Sequence, residues 1–201
     1  QLALEPAFLE LGRGRPDAAL APAMESLGLW ADLLPELERD PASPRHQLAR
    51  ITAAQAHSIL AEVQRARNDQ AAQDEALRAS LAASARLLES DPQHPLFLYQ
   101  RAETLLLAGQ FMRAAPEEIR GMVEEADRMF SGLMELDVAN IRWRNAAMES
   151  AMKLNALAKE RGDEAERNRW ALLADERVRP LYRMAHTDLE YLRSRARYAW
   201  F

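Results

Sequence analysis

Residues 87–109, LLESDPQHPLFLYQRAETLLLAG, decide the fold of this 201-residue chain. Proline has no backbone N–H and its ring clashes with the preceding turn, so Asp91-Pro92 predicts the end of one helix and Pro95 the first turn of the next. On both sides of the break, apolar residues recur every three or four positions, which is the period of an amphipathic helix. They are Leu77, Leu81, Ala85 and Leu88 before it, and Leu96, Tyr99, Ala102 and Leu106 after it. The segment therefore predicts two helices that fold back on each other.

The aspartate of this break recurs along the chain. Asp40, Asp91, Asp137 and Asp188 are separated by 51, 46 and 51 residues. Three positions before them stand Leu37, Leu88, Met134 and Ala185, and six positions after the first three stand His46, Phe97 and Trp143. Because the register holds over about twenty residues of each copy, it indicates an internal repeat of helical hairpins.

Leucines and small residues on one helix, a Leu-x-x-Asp-Pro corner and an aromatic residue early in the next helix resemble the tetratricopeptide (TPR) class of helical repeats, from Leu33 to Tyr198. The copies are longer than the TPR unit of about 34 residues and lack its Trp-Leu-Gly-Tyr pattern. They are most similar to the long-helix, TPR-like repeats in C-terminal regions of multidomain bacterial signalling proteins. The resemblance implies an all-α fold of antiparallel helical hairpins, stacked as a short solenoid or a compact helical array, and a role in protein–protein interaction.

Breaks in the helical pattern predict where the other helices of the chain begin and end. Asn68-Asp69 and Gly162-Asp163 each predict a helix end followed by a helix cap, whereas Gly28 and Gly109-Gln110 predict helix ends. We expect residues 17–201 to form a single TPR-like domain, with the last helix, from Asp188, covering the end of the stack. Residues 1–16 are expected to be a linker or a broken N-terminal cap.

Composition sets the class of protein. Hydrophobic residues make up 48% of the chain and charged residues 28%, and the net charge is −5, which is typical of a globular protein without a general attraction to nucleic acid. The absence of cysteine excludes disulfides and thiol chemistry, and no apolar stretch reaches the length of a membrane span. The chain starts at Gln1 without a signal sequence, so we expect a fragment of a longer protein. Abundant arginine and alanine indicate a bacterial source, and the compartment, cytoplasm or periplasm, stays open.

No pattern of catalytic residues is found. The four histidines, His46, His57, His94 and His186, have neither the i, i+4 partner of a helical zinc pair nor a glutamate three residues before them. Phosphate-binding loops and nucleophile elbows are also missing. Glu117-Glu118 is interpreted as a solvated helix start, and methionines such as Met122 and Met129 as core residues. The sequence therefore predicts no enzyme, no metal and no cofactor.

An arginine-rich tail is the feature most compatible with nucleic acid. It contains Arg177, Arg179, Arg183, Arg193, Arg195 and Arg197, interleaved with Tyr182, Tyr191, Tyr198 and Trp200. Such aromatic residues can stack on bases. A terminal helix with arginines on its solvated face has the same pattern, so we expect no nucleic-acid partner.

The predicted function is to hold a partner protein or peptide as a scaffold or regulatory domain. The expected binding surface is formed by the first helices of successive hairpins, with Asn145 and Asn155 bonding a peptide backbone and Tyr99 packing on it. An alternative is a sensory domain that binds a small apolar ligand between its helices. The sequence leaves the partner's identity and the oligomeric state open.

Overall fold

The computed structural model describes residues 4–37 and 44–184, which form eight α-helices and contain no β-strand. This confirms the all-α class and a compact array of helices that pack in adjacent pairs. The helices are α1 Glu5–Gly12, α2 Pro16–Leu37, α3 Pro44–Ala66, α4 Gln70–Ser90, α5 Pro95–Phe111, α6 Pro116–Leu136, α7 Ile141–Glu160 and α8 Glu164–Met184.

The chain divides into two compact units, residues 1–129 and 130–201. In the first, each helix from α1 to α5 packs against the next one, and α3 also contacts α1 and α5. In the second, α7 packs against α8. Helix α6 contributes its first part to the first unit and its last part to the second.

One kind of connection uses a residue with left-handed backbone conformation. Gly14, Asn68 and Gly162 have φ values of 71°, 60° and 73°, which glycine and asparagine adopt at low cost. The next residue after the last two is an aspartate that caps the following helix: Asp69 accepts from the Ala72 N–H at 3.1 Å, and Asp163 from the Glu166 N–H at 2.9 Å. The breaks predicted at Asn68-Asp69 and Gly162-Asp163 are confirmed.

The second kind of connection is the aspartate corner that defines the repeat. Asp91 Oδ1 accepts from the Gln93 N–H at 3.1 Å, and His94, three residues after the aspartate, caps α5 by accepting from the Leu96 N–H at 3.3 Å. Asp137 Oδ1 likewise accepts from the Ala139 N–H at 3.0 Å, and Asn140 caps α7 by accepting from the Trp143 N–H at 3.2 Å. In both corners the aspartate accepts from the N–H two residues later, and the residue three positions after it caps the next helix.

Two aspartates of the predicted repeat, Asp40 and Asp188, lie outside the described residues, as does the helix predicted to start at Asp188.

The link between α5 and α6 is of neither kind. Side chains from the start of α4 fix it: the Gln70 and Gln73 amides donate to the Phe111 carbonyl at 3.3 and 3.4 Å, and Asp74 Oδ1 accepts from the Arg113 N–H at 3.1 Å. Asp74 is buried, so its carboxylate needs such partners. The conformation of this link is thus imposed by a helix about forty residues earlier.

The helix end predicted at Gly28 is wrong, whereas the end predicted at Gly109-Gln110 is within two residues of the observed one. Helix α2 continues through Gly28, around which an added Cβ would meet nothing within 4 Å. Helix α5 continues past Gly109 to Phe111, and here the glycine permits close packing, because an added Cβ would lie 2.4 Å from Val123 Cγ2 of α6. A glycine marks a helix end only where the backbone turns left-handed, and neither residue does so.

Helix α1 forms over residues that the sequence left as a linker or a broken cap. Although it has no side-chain cap, Leu4 and Ala7 at its start are buried against α2 and α3. Small residues on α2, Ala19 and Ala23, allow the helices to approach closely. Tertiary packing therefore stabilises α1 where local signals do not.

Three of the four residues of the predicted α5 stripe, Tyr99, Ala102 and Leu106, are buried, and the first one is not. Phe97 is 1% exposed and packs with Ile51 and Leu87, whereas Leu96, placed on the apolar face by its spacing, is 47% exposed. Leu48, near the start of α3, is 50% exposed. Both leucines lie in the early turns of their helices, at the edge of the buried core.

Candidate interaction surface

Tyr99, one of the predicted partner-binding residues, is buried in the structure. Its side chain is only 4% exposed, and its hydroxyl donates to the carboxylate of Glu103 one turn later. A buried tyrosine usually pairs its hydroxyl in this way. Tyr99 therefore contributes to the packing of α5.

The two predicted asparagines, both on α7, differ from each other. Asn155 donates from Nδ2 to the Arg167 carbonyl at 2.7 Å and so ties α7 to α8. Asn145 is partly exposed. Asn155 is partly exposed as well, so both asparagines are accessible enough for the predicted contact with a peptide, and their roles stay predictions.

The clearest group of exposed side chains lies instead beside a partly buried amide pair that joins α3 and α5. Gln55 donates from Nε2 to Oε1 of Gln100 at 3.1 Å, and Arg65 lies 4.8 Å from the ring centroid of Phe111. Both contacts join residues about 45 positions apart in the same order, so α3 and α5 run parallel. The N-terminal ends of α3 and α5 therefore lie on the same side of the first unit.

Below this amide pair, hydroxyl groups connect three helices. Ser80 of α4 is 2.8 Å from the Ser58 hydroxyl and 3.5 Å from that of Thr104, and it donates to the Ala54 carbonyl at 3.0 Å. Ser80 and Thr104 are fully buried, where each polar group needs a partner. Because hydroxyls are small and these are paired, the helices pack closely and hold the surface above them in place.

We call the exposed surface next to this network the α3–α5 face. On α3, Leu48, Gln55 and Glu62 are seven residues apart and therefore share one side of the helix. On α5, Leu96 and Glu103 flank Gln100 at helical spacing. Since the helices are parallel, the two leucines lie toward one end of the face, the amides in the middle and the two glutamates toward the other end.

The glutamate end of the α3–α5 face contains a carboxyl group with a shifted pKa. Burial raises the pKa of Glu62 above its ordinary value of 4.5, and the positive charge of Arg65 opposes this rise. A carboxylate partly removed from water is stabilised by a cation or a hydrogen-bond donor. Elsewhere on α3, burial lowers the pKa of His57 below 6.5, so the neutral imidazole is favoured there.

Histidines form no metal site in the part of the chain that the structure describes, where no three His, Cys, Asp or Glu residues come together in a suitable way. His94 lies in the corner before α5, and its ring stacks on Phe97 with the centroids 4.2 Å apart. Its position is explained by capping and packing. His186 and the side chain of His46 lie outside the described residues.

The first two arginines of the arginine-rich tail form contacts within the protein. Arg177, on α8, is 6% exposed and donates to the Ala147 carbonyl and to Ser131 Oγ, both within the second unit. Arg179 pairs with Asp175 one turn earlier, which raises the arginine's pKa. The remaining arginine side chains of this tail lie outside the described residues, so the expectation of no nucleic-acid partner stays a prediction.

None of the helices in residues 4–37 and 44–184 is both long and apolar enough to cross a membrane. In comparisons with known proteins, no protein-family model matches this chain, and no curated protein matches it significantly.

Proposed function

We propose that this chain is a non-catalytic protein-interaction domain that binds a segment of a partner protein on the α3–α5 face. The observation that carries the proposal is the pair of half-exposed leucines, Leu48 and Leu96, on the side of the bundle where Gln55 and Gln100 join the two helices. A partner that binds here can bury these apolar side chains and can form hydrogen bonds with the amides beside them.

Each part of the face contributes a different interaction. Covering a leucine contributes about 25 cal/mol for each square ångström of apolar surface removed from water. Gln55 has an amide oxygen that can accept from a partner's backbone while its nitrogen remains bonded to Gln100. Glu62 favours a cationic or donor side chain at the opposite end. A segment with apolar residues followed by a basic residue matches this order.

The hydrogen-bonded helices below the face favour binding with a small loss of conformational entropy. Ser58, Ser80 and Thr104 hold α3, α4 and α5 together through paired hydroxyls. A surface already fixed in the free protein loses less conformational entropy when the partner binds. The resemblance to TPR-like repeats supports the same class of function, as a scaffold or regulatory part of a bacterial signalling protein.

Site-specific photocrosslinking tests the proposal. A photoreactive benzoyl-phenylalanine replaces Leu48 or Leu96 in the chain expressed in cells, and matched controls carry it at Ala71 or Ala82, which are exposed on α4. We expect the same partner to be crosslinked from positions 48 and 96 and from neither control. In a direct binding assay with that partner, Leu96→Asp should weaken affinity by about tenfold or more, while Ala82→Asp should not.

Two outcomes would overturn the proposal. If folded variants gave identical adducts from all four positions, the contact would be non-specific. If none gave an adduct while a small apolar compound raised the melting temperature, the domain would be the sensory, ligand-binding type instead.

A further inference from the structure

We draw no further inference here: the strongest candidate, the exposed apolar side chains Leu136, Val138 and Ile141 around the corner between α6 and α7, is an unpartnered patch, and nothing in the structure shows what covers it.

Discussion

The amide nitrogen of Gln55 donates to the amide oxygen of Gln100 at 3.1 Å, across two helices that are not consecutive in the chain. These residues are 45 positions apart, whereas Asp40 and Asp91, which introduce the same two helices, are 51 apart. At 1.5 Å per residue, α3 is therefore shifted by roughly 9 Å along α5 from the position that the aspartate repeat would give. The spacing of the aspartates therefore does not give the alignment of these two helices.

Removing one amide of this pair should destabilise the fold. Gln55→Ala leaves the oxygen of the buried Gln100 without its donor, and we expect a loss of about 1–3 kcal/mol in the free energy of unfolding. Urea denaturation measures this change. The double variant Gln55→Ala/Gln100→Ala should lose less than the sum of the two single variants, because the amides interact directly. Strict additivity would contradict the interaction, and Gln93→Ala, at an exposed corner position, serves as the control.

Alanine should have opposite effects at two helical glycines. At Gly28, exposed in α2 with open space around it, Gly→Ala should stabilise the protein by about 0.5–1 kcal/mol, because glycine has the greater freedom in the unfolded chain. At Gly109, the new Cβ would lie 2.4 Å from Val123 Cγ2, and we expect a loss of about 1–3 kcal/mol. Thermal unfolding followed by circular dichroism would measure both.

The Gly109 explanation can be checked separately. Adding Val123→Ala to Gly109→Ala should recover part of the lost stability, although Val123→Ala alone leaves a cavity in the core. If the two losses simply add, the clash between these residues is not the cause.

Ser26→Ala should stabilise the first unit. The Ser26 hydroxyl is buried in α2 and has no hydrogen-bond partner among the described residues, so it is desolvated without compensation. Alanine removes that cost and also has the higher helix propensity, which together predict a gain of about 1 kcal/mol. The melting temperature is the readout. Ser80→Ala is the matched comparison: its hydroxyl is paired, so its loss should lower the melting temperature. A lower value for Ser26→Ala would refute the prediction.

Glu62→Gln should stabilise the protein at pH 7, with an advantage that decreases in acid. Because burial raises the native pKa of Glu62, the native state binds the proton more tightly than the unfolded state does. The ionised carboxylate therefore costs stability above the native pKa, and this cost disappears as the pH falls toward the ordinary value of 4.5. Urea unfolding of both proteins between pH 4 and pH 8 gives the difference. A difference that stays constant across this range would contradict the burial effect, and Glu75→Gln controls for the loss of an exposed charge.

Local signals in the sequence predicted the connections well. The Asp91 corner, the Asn68 turn and the Gly162 turn each depend on the conformational preferences of two to four adjacent residues. Gly28 was misinterpreted because an isolated glycine looks the same at a helix end and inside a helix. The close packing of Gly109 against Val123 is a contact with another helix, and the sequence does not indicate it.

The candidate surface was harder to predict than the fold. Helical periodicity correctly placed Tyr99 on a side of α5 with apolar neighbours, but it does not indicate which sides other helices cover. For the same reason Leu96 was assigned to the apolar face of α5. Their shared position next to Gln55 and Gln100 depends on the alignment of two parallel helices, which the spacing of the aspartates does not give.

The link between α5 and α6 limits how this architecture can be recombined. The turn of the α3–α4 hairpin depends only on its own residues, Asn68 and Asp69, and can be transferred with that hairpin alone. The α5–α6 hairpin cannot, because the two donors and one acceptor that shape its link belong to Gln70, Gln73 and Asp74 of the preceding helix. In a chimaeric array, α4 must accompany α5 and α6, so the smallest transferable segment here is three helices long.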